Sequence, residues 1–262
     1  MLKAFAAVSQ IIPASPTITV YYTALPSPDK TVMTSILPTG AILWLSNNYE
    51  NITTQSVGQW DDQSGNGNNI TQTISANQPT VVFGNNGHFS LHFDGVASFM
   101  AAKIPISNLS GMAVFLVSSA GKDITPVPNV AVGAELYWPE SAGYGYTYFG
   151  TYQSTSQFRF GTTQINAPTA WKLPFNWSNT FALSEWQHNG TTSSIWFNGT
   201  LVGTFPGKLS KLTGTTGIFM IGQGASSTYF QGDISEVIVY PRAVTDAERC
   251  IIERYLMKKY HL

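Results

Sequence analysis

Charged side chains are scarce in this chain of 262 residues. They make up 10% of it, whereas soluble domains average about 25%. The 13 basic and 14 acidic side chains give a net charge of −1, and neither sign forms a long run. Such a surface does not attract nucleic-acid phosphates or an anionic membrane. The sequence therefore predicts no nucleic-acid partner.

Cysteine and long apolar runs are scarce as well. Cys250 is the only cysteine, which excludes an intrachain disulfide framework and a thiolate metal cluster. No stretch approaches the roughly 18 apolar residues that a membrane-spanning helix needs, so we predict no membrane span. Ser9, Gln10 and Pro13 interrupt the apolar run near Met1, and we interpret this segment as mature protein rather than as a signal peptide.

Short apolar runs and turn residues alternate from Ala41 onward. Asp94-Gly95, Asn189-Gly190 and Asn198-Gly199 each predict a two-residue hairpin turn, because Asn-Gly and Asp-Gly accept φ > 0 at both central positions. The last two turns predict a β-meander. The runs "GMAVFLVSS" and "GIFMIG" are typical of strands covered on both faces. This spacing of strands and turns predicts a sandwich or a barrel.

The end of the chain has a helical pattern instead. Thr245 and Glu248 stand in capping-box register, and Lys258 and Lys259 lie where a helix dipole favours cations. We expect an apolar stripe on this helix to pack on the outside of a sheet. The stripe consists of Ala247, Ile251, Tyr255 and Leu256. Cys250 is predicted to be a small buried residue.

Residues 1–40 are rich in proline and predict an extended N-terminal arm with one strand, "TITVYY", at 17–22. An arm of this kind is poorly stabilised unless it lies along a protein surface. We therefore predict that it contacts neighbouring subunits and that the protein is an oligomer or part of a larger assembly.

Several stretches together resemble a known family. They are "ILWLSNN", "QWDDQSGNGNN", "LHFDGVASFM", "IWFNGTLVGT" and "GDISEVIVYPRAVTDAERCIIERYL". In this order they resemble the laminin-G-like group of the concanavalin A-like lectin and glucanase superfamily, over about residues 41–262. The resemblance implies an all-β fold, a two-sheet antiparallel jelly-roll β-sandwich, here with one C-terminal amphipathic helix. That fold carries sugar-binding, protein-binding, hydrolytic and structural members, so function depends on a site.

The loop "QWDDQSGNGNN" at 59–69 is rich in side-chain oxygens. Asp61, Asp62 and Asn66 are candidate ligands for Ca²⁺, which prefers six to eight oxygens. The spacing is not that of an EF-hand, because Gln72 stands where a bidentate acid is needed. We favour an Asx-rich turn, with Ca²⁺ as the alternative. Apart from this ion we predict no cofactor.

Glycosidic cleavage needs two carboxyl groups facing one cleft. The glucanases of this superfamily place theirs on one strand in a Glu-x-Asp-x-Glu type motif, which is missing from this sequence. Asp233 and Glu236 are three apart and are expected on opposite faces. Glu236 would share a face with Ile234 and Ile238, and we interpret it as a structural carboxylate rather than as a proton donor. We therefore predict that the chain is not an enzyme and disfavour a glycan hydrolase.

Aromatic side chains provide the candidate ligand-binding residues. Tyr144, Tyr146 and Tyr148 fall on one face if they lie in a strand. Tyrosine rings suit packing in a core, stacking on sugars or contact with a partner protein, and all three alternatives stay open. Trp171 and Trp177 are similar candidates.

Asparagine sequons are frequent and indicate a glycosylated surface. The candidate glycosylation sites are Asn51, Asn69, Asn108, Asn176, Asn189 and Asn198.

Low charge, the lack of an acid pair and the N-terminal arm favour a non-catalytic module that works by surface recognition or assembly. Our leading hypothesis is a virion structural or attachment protein, such as a capsid, decoration or fibre component. The alternative is a secreted or cell-surface lectin domain that binds carbohydrate. Either function predicts a location on the virion surface or outside the cell.

Overall fold

The structure is a computed structural model. It describes residues 37–46, 55–85, 87–104, 109, 111–120, 131–139, 146–152, 155–159, 180–206, 217–224 and 228–262. Between 131 and 159 it describes the backbone of the strands and the Leu136 side chain. Residues 1–36 of the predicted arm, including the strand expected at 17–22, lie outside the described residues.

The described elements are strands, one short 3-10 helix at Ser75–Asn77 and one α-helix near the C-terminus. In chain order they are β1 (Leu43–Ser46), β2 (Gln59–Trp60), β3 (Ile70–Thr71), β4 (Thr80–Asn85), β5 (His88–Asp94), β6 (Met100–Lys103), β7 (Met112–Ala120), β8 (Ala131–Pro139), β9 (Tyr146–Tyr152), β10 (Thr155–Arg159), β11 (Ala182–His188), β12 (Thr192–Phe197), β13 (Thr200–Pro206), β14 (Ile218–Ile221), β15 (Gln231–Tyr240) and α1 (Asp246–Tyr260).

The strands form two antiparallel sheets. The larger sheet has the order β13-β12-β11-β7-β15-β5-β4, and β1 also pairs with β15. The smaller sheet has the order β10-β9-β8-β14-β6-β3-β2. The first half of β15 pairs with β5 and the second half pairs with β1. The predicted all-β sandwich with a C-terminal helix is confirmed.

The main core lies between the two sheets. Alternation along each strand turns every second residue inward, as with Leu43 and Leu45 in β1, Leu91 and Phe93 in β5, and Trp60 in β2. These side chains are at most 1% exposed. Since both sheets contribute to one apolar cluster, the sandwich forms a single packed unit.

A second core lies between the outer face of the larger sheet and α1. The helix contributes Ile252, Leu256 and Tyr260, and the sheet contributes residues such as Phe115 and Ile238. The helix therefore packs on the outside of a sheet, as predicted. Within the described ranges, no helix is long and apolar enough to cross a membrane.

The capping box of α1 is confirmed, and the predicted apolar stripe is right at Tyr255 and Leu256 but wrong at Ala247 and Ile251, which are exposed. The Thr245 hydroxyl accepts a hydrogen bond from the Glu248 N–H, and Glu248 bonds back to the Thr245 N–H. Ile251 is 44% exposed, whereas Ile252 is fully buried. The buried face is shifted by one residue in this turn, and Cys250, predicted to be buried, is exposed.

The two Asn-Gly pairs form the predicted meander β11-β12-β13. Asn198 and Gly199 have φ of 46° and 73°, as the two-residue turn requires. The other hairpin differs in detail, because the Asn189 N–H donates to the Thr192 carbonyl and Gly190 alone takes φ > 0 there.

The hairpin predicted at Asp94-Gly95 is wrong. Strand β5 lies in the larger sheet, but β6 lies in the smaller one. The Asp94 carboxylate accepts hydrogen bonds from the N–H groups of Val96, Ala97 and Ser98. Partial burial raises the pKa of Asp94, but these bonds outweigh it and lower the pKa to about 2. The acid thus organises a crossing between sheets rather than a tight turn.

Strand β15 contains a β-bulge that overturns another prediction. Its register with β7 shifts between Ile234 and Glu236, which leaves Ser235 as the extra residue. Ile234 therefore points into the core between the sheets, whereas Asp233 and Glu236 both project from the outer face. The expectation that these two acids lie on opposite faces, and that Glu236 shares a face with Ile234, is wrong.

The two apolar runs predicted as fully covered strands differ from each other. Residues 111–119 of "GMAVFLVSS" are buried along the central strand β7, as predicted. Strand β14 is covered on one face only, because Ile218 is 41% exposed while Phe219 and Ile221 are fully buried. The outer face of the smaller sheet is therefore open at β14.

Candidate functional site

One row of residues crosses all seven strands of the smaller sheet. The members pair directly with one another across neighbouring strands. In order they are Gln59, Thr71, Ala101, Met220, Tyr137, Tyr148 and Arg159. Residues that pair directly across antiparallel strands lie on the same face of the sheet. We call this set the cross-strand row.

The cross-strand row lies on the outer face of the smaller sheet. The neighbouring row, which contains Met100, Ile221 and Leu136, belongs to the core between the sheets. Alternation places the cross-strand row on the opposite face. Gln59 and Thr71 are exposed, and Met220 is half-buried. The row is therefore accessible at its β2 and β3 positions and partly accessible at β14.

Two of the predicted ligand-binding tyrosines have positions on this face. Tyr148 pairs with Tyr137, and Tyr146 pairs with Pro139 in β8. Alternation along β9 puts positions 146 and 148 on one face, as predicted. The other candidates, Tyr144, Trp171 and Trp177, lie outside the described residues.

Sequence reasoning missed the partners of these tyrosines. Tyr137 and Met220 become neighbours because β8 pairs with β14, although about 80 residues separate them in the chain. Gln59 enters the row through the pairing of β2 with β3. Such pairings carry no short-range sequence signal. The aromatic run "LYWPE" containing Tyr137 is the one signal that could have drawn attention to this residue.

Residues of both charge signs lie at or beside the row. The Gln59 Nε2 atom donates to the Asp61 Oδ1 atom at 2.7 Å, which places an acid beside the β2 end. Arg159 occupies the position at the β10 end. Lys103 lies in β6, two residues after Ala101 of the row; it is exposed and pairs with Ile218 in β14. The face thus combines apolar, hydrogen-bonding and charged positions.

The loop at 59–69 is held together by Asp62. Its carboxylate accepts hydrogen bonds from the N–H groups of Trp44, Ser64 and Asn68, each at 2.9 Å, and from the Ser64 hydroxyl at 2.7 Å. Asn66 donates through its amide to the Ala41 carbonyl. The loop is therefore the Asx-rich turn favoured from the sequence, and it is tied to β1.

The same contacts bear on the Ca²⁺ alternative. The Asp62 oxygens already accept hydrogen bonds from N–H and O–H donors, and these donors compete with a cation for the same lone pairs. Asp61 accepts from Gln59, and Asn66 directs its amide nitrogen toward Ala41. Among the residues the structure describes, no group of three or more His, Cys, Asp and Glu side chains is placed to hold a metal ion.

Glu236 lies beneath α1, away from the cross-strand row. Its carboxylate accepts hydrogen bonds from Lys259 Nζ at 2.6 Å, Trp44 Nε1 at 2.7 Å and the hydroxyls of Tyr260 and Tyr255 at 2.7 and 2.9 Å. These donors satisfy the carboxylate of Glu236, a residue that is only 1% exposed. Glu236 is a structural carboxylate, as interpreted from the sequence, and Lys259 is the cation paired with it.

His92 and Asp233 form a partly exposed pair on the larger sheet. Nδ1 of His92 lies 2.6 Å from Oδ1 of Asp233. The hydrogen bond to Asp233 raises the pKa of His92, although partial burial opposes it. The pair joins β5 to β15 and lies on the sheet opposite to the cross-strand row.

Three of the candidate glycosylation sites lie in the described ranges. Asn69 accepts a hydrogen bond from the Asp62 N–H, Asn189 from the Thr191 N–H, and Asn198 from the Leu183 N–H. Their side chains therefore take part in local turns. Asn51, Asn108 and Asn176 lie outside the described residues.

The sequence resemblance is confirmed over part of the chain. Residues 127–248 match a laminin-G-like family model described as the concanavalin A-like lectin/glucanases superfamily. This segment is just under half of the chain and runs from before β8 into α1. No curated protein matches the chain in sequence.

Solved structures share the fold at low identity. Domain 4 of AbnA, a GH43 extracellular arabinanase from Geobacillus stearothermophilus, matches with a TM-score of 0.56 and 13% identity over 80% of this chain and 96% of that one. A GH54 α-L-arabinofuranosidase matches with a TM-score of 0.54 and 13% identity, over 82% of this chain and 58% of that one. Trypanosoma rangeli sialidase matches with a TM-score of 0.53 and 14% identity, over 85% of this chain and 33% of that one.

The family match and the similar structures together support a lectin/glucanase-like β-sandwich. The similar structures contradict the prediction that the chain is not an enzyme. All three belong to glycoside hydrolases, so the fold is one that occurs in such enzymes. The chain spans about a third of the sialidase and 58% of the arabinofuranosidase, and at this identity the likeness concerns the fold alone. None of the three supports the predicted virion role.

Proposed function

We propose that this protein binds carbohydrate on the outer face of the smaller sheet. The cross-strand row carries this proposal, because it pairs Tyr137 in β8 with Tyr148 in β9 on one face of the sheet. Carbohydrate binding is the alternative function that the sequence predicts, and the cross-strand row is the location that we propose for it.

The composition of the row suits a sugar chain. Tyrosine rings offer a flat apolar surface with a polar tip, which complements the C–H face of a sugar ring and its hydroxyls. Gln59 and Thr71 supply amide and hydroxyl groups at the exposed β2 end. Aromatic stacking at the β8 and β9 positions and hydrogen bonds at the β2 end provide affinity and orientation.

The shape of the row favours an extended oligosaccharide over a single sugar. Seven strands give six spacings of about 4.8 Å, or roughly 29 Å across the sheet. A surface of this length accommodates several sugar units in line. We therefore expect affinity to rise with chain length until the row is filled.

The similar structures suggest which ligand to test first. Domain 4 of the GH43 arabinanase was solved in complex with arabinotriose, and a GH54 α-L-arabinofuranosidase shares the fold. Arabino-oligosaccharides are accordingly the first choice, followed by an array of plant, bacterial and animal glycans. If the protein binds another class of sugar at this face, the proposed site stands and only the choice of ligand changes.

Isothermal titration calorimetry with arabinotriose and longer arabino-oligosaccharides tests the proposal. Replacement of Tyr137 or Tyr148 by alanine should weaken binding about tenfold, which corresponds to about 1.4 kcal/mol. Phe83→Ala is the matched control, because Phe83 is an aromatic residue that is 61% exposed on the larger sheet. Equal effects of all three substitutions, or the lack of any glycan ligand on the array, would overturn the proposal.

The same samples also test for turnover. Any ligand that binds should be incubated with the protein and analysed by chromatography for shorter products. Release of products that Tyr148→Ala reduces would extend the proposed function from binding to hydrolysis at the same face.

A further inference from the structure

Glu185 is a buried acid whose carboxylate lacks hydrogen-bond partners. Its side chain is 2% exposed, and among the described residues neither Oε1 nor Oε2 has a hydrogen-bond partner. The residue lies in β11 on the outer face of the larger sheet, where α1 covers it. A buried carboxylate without donors is costly when it is ionised, so this site requires an explanation.

In the part of the chain that the structure describes, Arg249 in the first half of α1 is the cation within ion-pair distance of Glu185. Its Nη1 atom is 3.7 Å from Oε2 of Glu185, which is too long for a hydrogen bond. The same Nη1 atom forms a short ion pair with Glu253. The guanidinium lies 4.6 Å from the centre of the Trp196 ring in β12. Arg249 thus contacts both β12 and the helix but leaves Glu185 incompletely paired.

The charges around Glu185 do not balance if every acid is ionised. On α1 the titratable groups near it are Asp246, Arg249, Cys250 and Glu253, with Cys250 and Asp246 exposed. The residues paired with Glu185 on the flanking strands are Phe115 in β7 and Trp196 in β12, which do not titrate. Arg249 is therefore the one cation near two largely buried carboxyl groups, those of Glu185 and Glu253, within the described residues.

Protonation of Glu185 resolves the imbalance. Burial raises its pKa to about 8, and the opposing effect of Arg249 is too weak to cancel this. Near neutral pH the carboxyl group is then uncharged, and Arg249 remains paired with Glu253. Ionisation would attract Arg249 away from Glu253 and place a second negative charge beneath the helix.

We propose that Glu185, Arg249 and Glu253 form a proton-controlled latch that fixes the N-terminal half of α1 to the β11–β12 hairpin. Arg249 is the residue that joins the two elements, since it pairs with Glu253 in α1 and lies over the Trp196 ring in β12. The latch is closed when Glu185 is protonated, because no second carboxylate then draws Arg249 from these contacts, and it weakens when Glu185 ionises. Its location on the larger sheet makes it independent of the proposed carbohydrate site on the smaller sheet.

The sign of the pH dependence follows from linkage. The pKa of Glu185 in the folded protein lies above the ordinary value of 4.5. The folded state therefore holds a proton that the unfolded state releases between these values. The stabilisation is complete below about pH 4.5 and is lost as the pH rises toward about 8.

Thermal unfolding and amide hydrogen exchange between about pH 5 and pH 8.5 test the latch in the full chain. In wild type, the melting temperature should fall over this range, and exchange in residues 246–253, corrected for its intrinsic pH dependence, should accelerate. Glu185→Gln should remove most of both changes. Glu248→Gln is the matched control, because pairing with Arg242 lowers the pKa of Glu248 to about 2 and so moves its titration outside the range.

Direct titration keeps the test valid if Glu185→Gln fails to fold. The ¹³C resonance of the Glu185 carboxyl group in wild type should titrate near pH 8. A midpoint below pH 6, or a Glu185→Gln protein that retains the full pH dependence of wild type, would overturn the proposal.

Discussion

Nζ of Lys259 lies 2.6 Å from Oε2 of Glu236 beneath α1. The lysine also donates to the Ser46 hydroxyl at 2.7 Å. Burial raises the pKa of Tyr255 and Tyr260, so that both hydroxyls stay protonated and donate to the same carboxylate. This ion pair and its donors join the last turns of the helix to the bulged strand β15.

Lys259→Met should destabilise the fold by about 3–5 kcal/mol, because it leaves a buried carboxylate without its cation. The free energy of unfolding, measured with guanidinium chloride, checks this. Lys258→Met is the matched control, since Lys258 is exposed on the same turn, and it should change the stability by less than about 0.5 kcal/mol. Equal losses from both substitutions would show that the ion pair is not important.

The position of Glu236 shows where sequence reasoning stops. Strict alternation predicts that Asp233 and Glu236 diverge, and the bulge at Ser235 reverses this result. A bulge depends on how neighbouring strands align, which a single strand does not encode. The hairpin prediction at Asp94-Gly95 was wrong for a related reason. The Asp94 carboxylate accepts hydrogen bonds from three N–H groups of a loop that crosses between the sheets. The Asn198-Gly199 turn was predictable since its geometry is local.

Asp62→Asn should cost about 1–3 kcal/mol, because an amide cannot accept all of the N–H and O–H donors that the carboxylate satisfies. Chemical denaturation provides the measurement. Asp61→Asn is the control, since Asp61 is exposed and its carboxylate accepts a hydrogen bond from the side-chain amide of Gln59. An Asp61→Asn protein as unstable as Asp62→Asn would contradict the assignment of Asp62 as the organising residue of the loop.

The proposed binding face was partly predictable. Alternation alone places Tyr146 and Tyr148 on one face of β9. Their neighbours could not be derived, because Tyr137, Met220 and Gln59 reach the row through pairings between distant segments. The helix stripe was displaced by one residue for a similar reason, since the helix axis orients to the sheet surface it covers and buries Ile252 rather than Ile251.

The His92–Asp233 pair should make a small, pH-dependent contribution to stability. Since the folded pKa of His92 is raised above 6.5, this contribution is complete below about pH 6.5 and is lost as the pH rises through the folded value. Both side chains are partly exposed, so we expect less than about 1 kcal/mol. An NMR titration of the His92 imidazole should give a midpoint above 6.5, and Asp233→Asn should lower it. A midpoint that Asp233→Asn leaves unchanged would show that the pair does not set the pKa.

The predicted N-terminal arm leads to an assembly test. Deletion of residues 1–36 should leave the sandwich folded, because Leu37 and the elements after it supply both described cores. If the arm contacts neighbouring subunits, the deletion should reduce the molar mass measured by light scattering. Unchanged circular dichroism with an unchanged molar mass would contradict the predicted role of the arm.

The central claim is that the outer face of the smaller sheet binds carbohydrate. Its most direct test is an NMR titration of protein labelled at methionine methyl groups and tyrosine rings, with arabino-oligosaccharides or the best ligand from the array. The account predicts saturable shift changes for Met220, Tyr137 and Tyr148 and none for Met257 on α1. Saturable changes confined to Met257 and the larger sheet would contradict it.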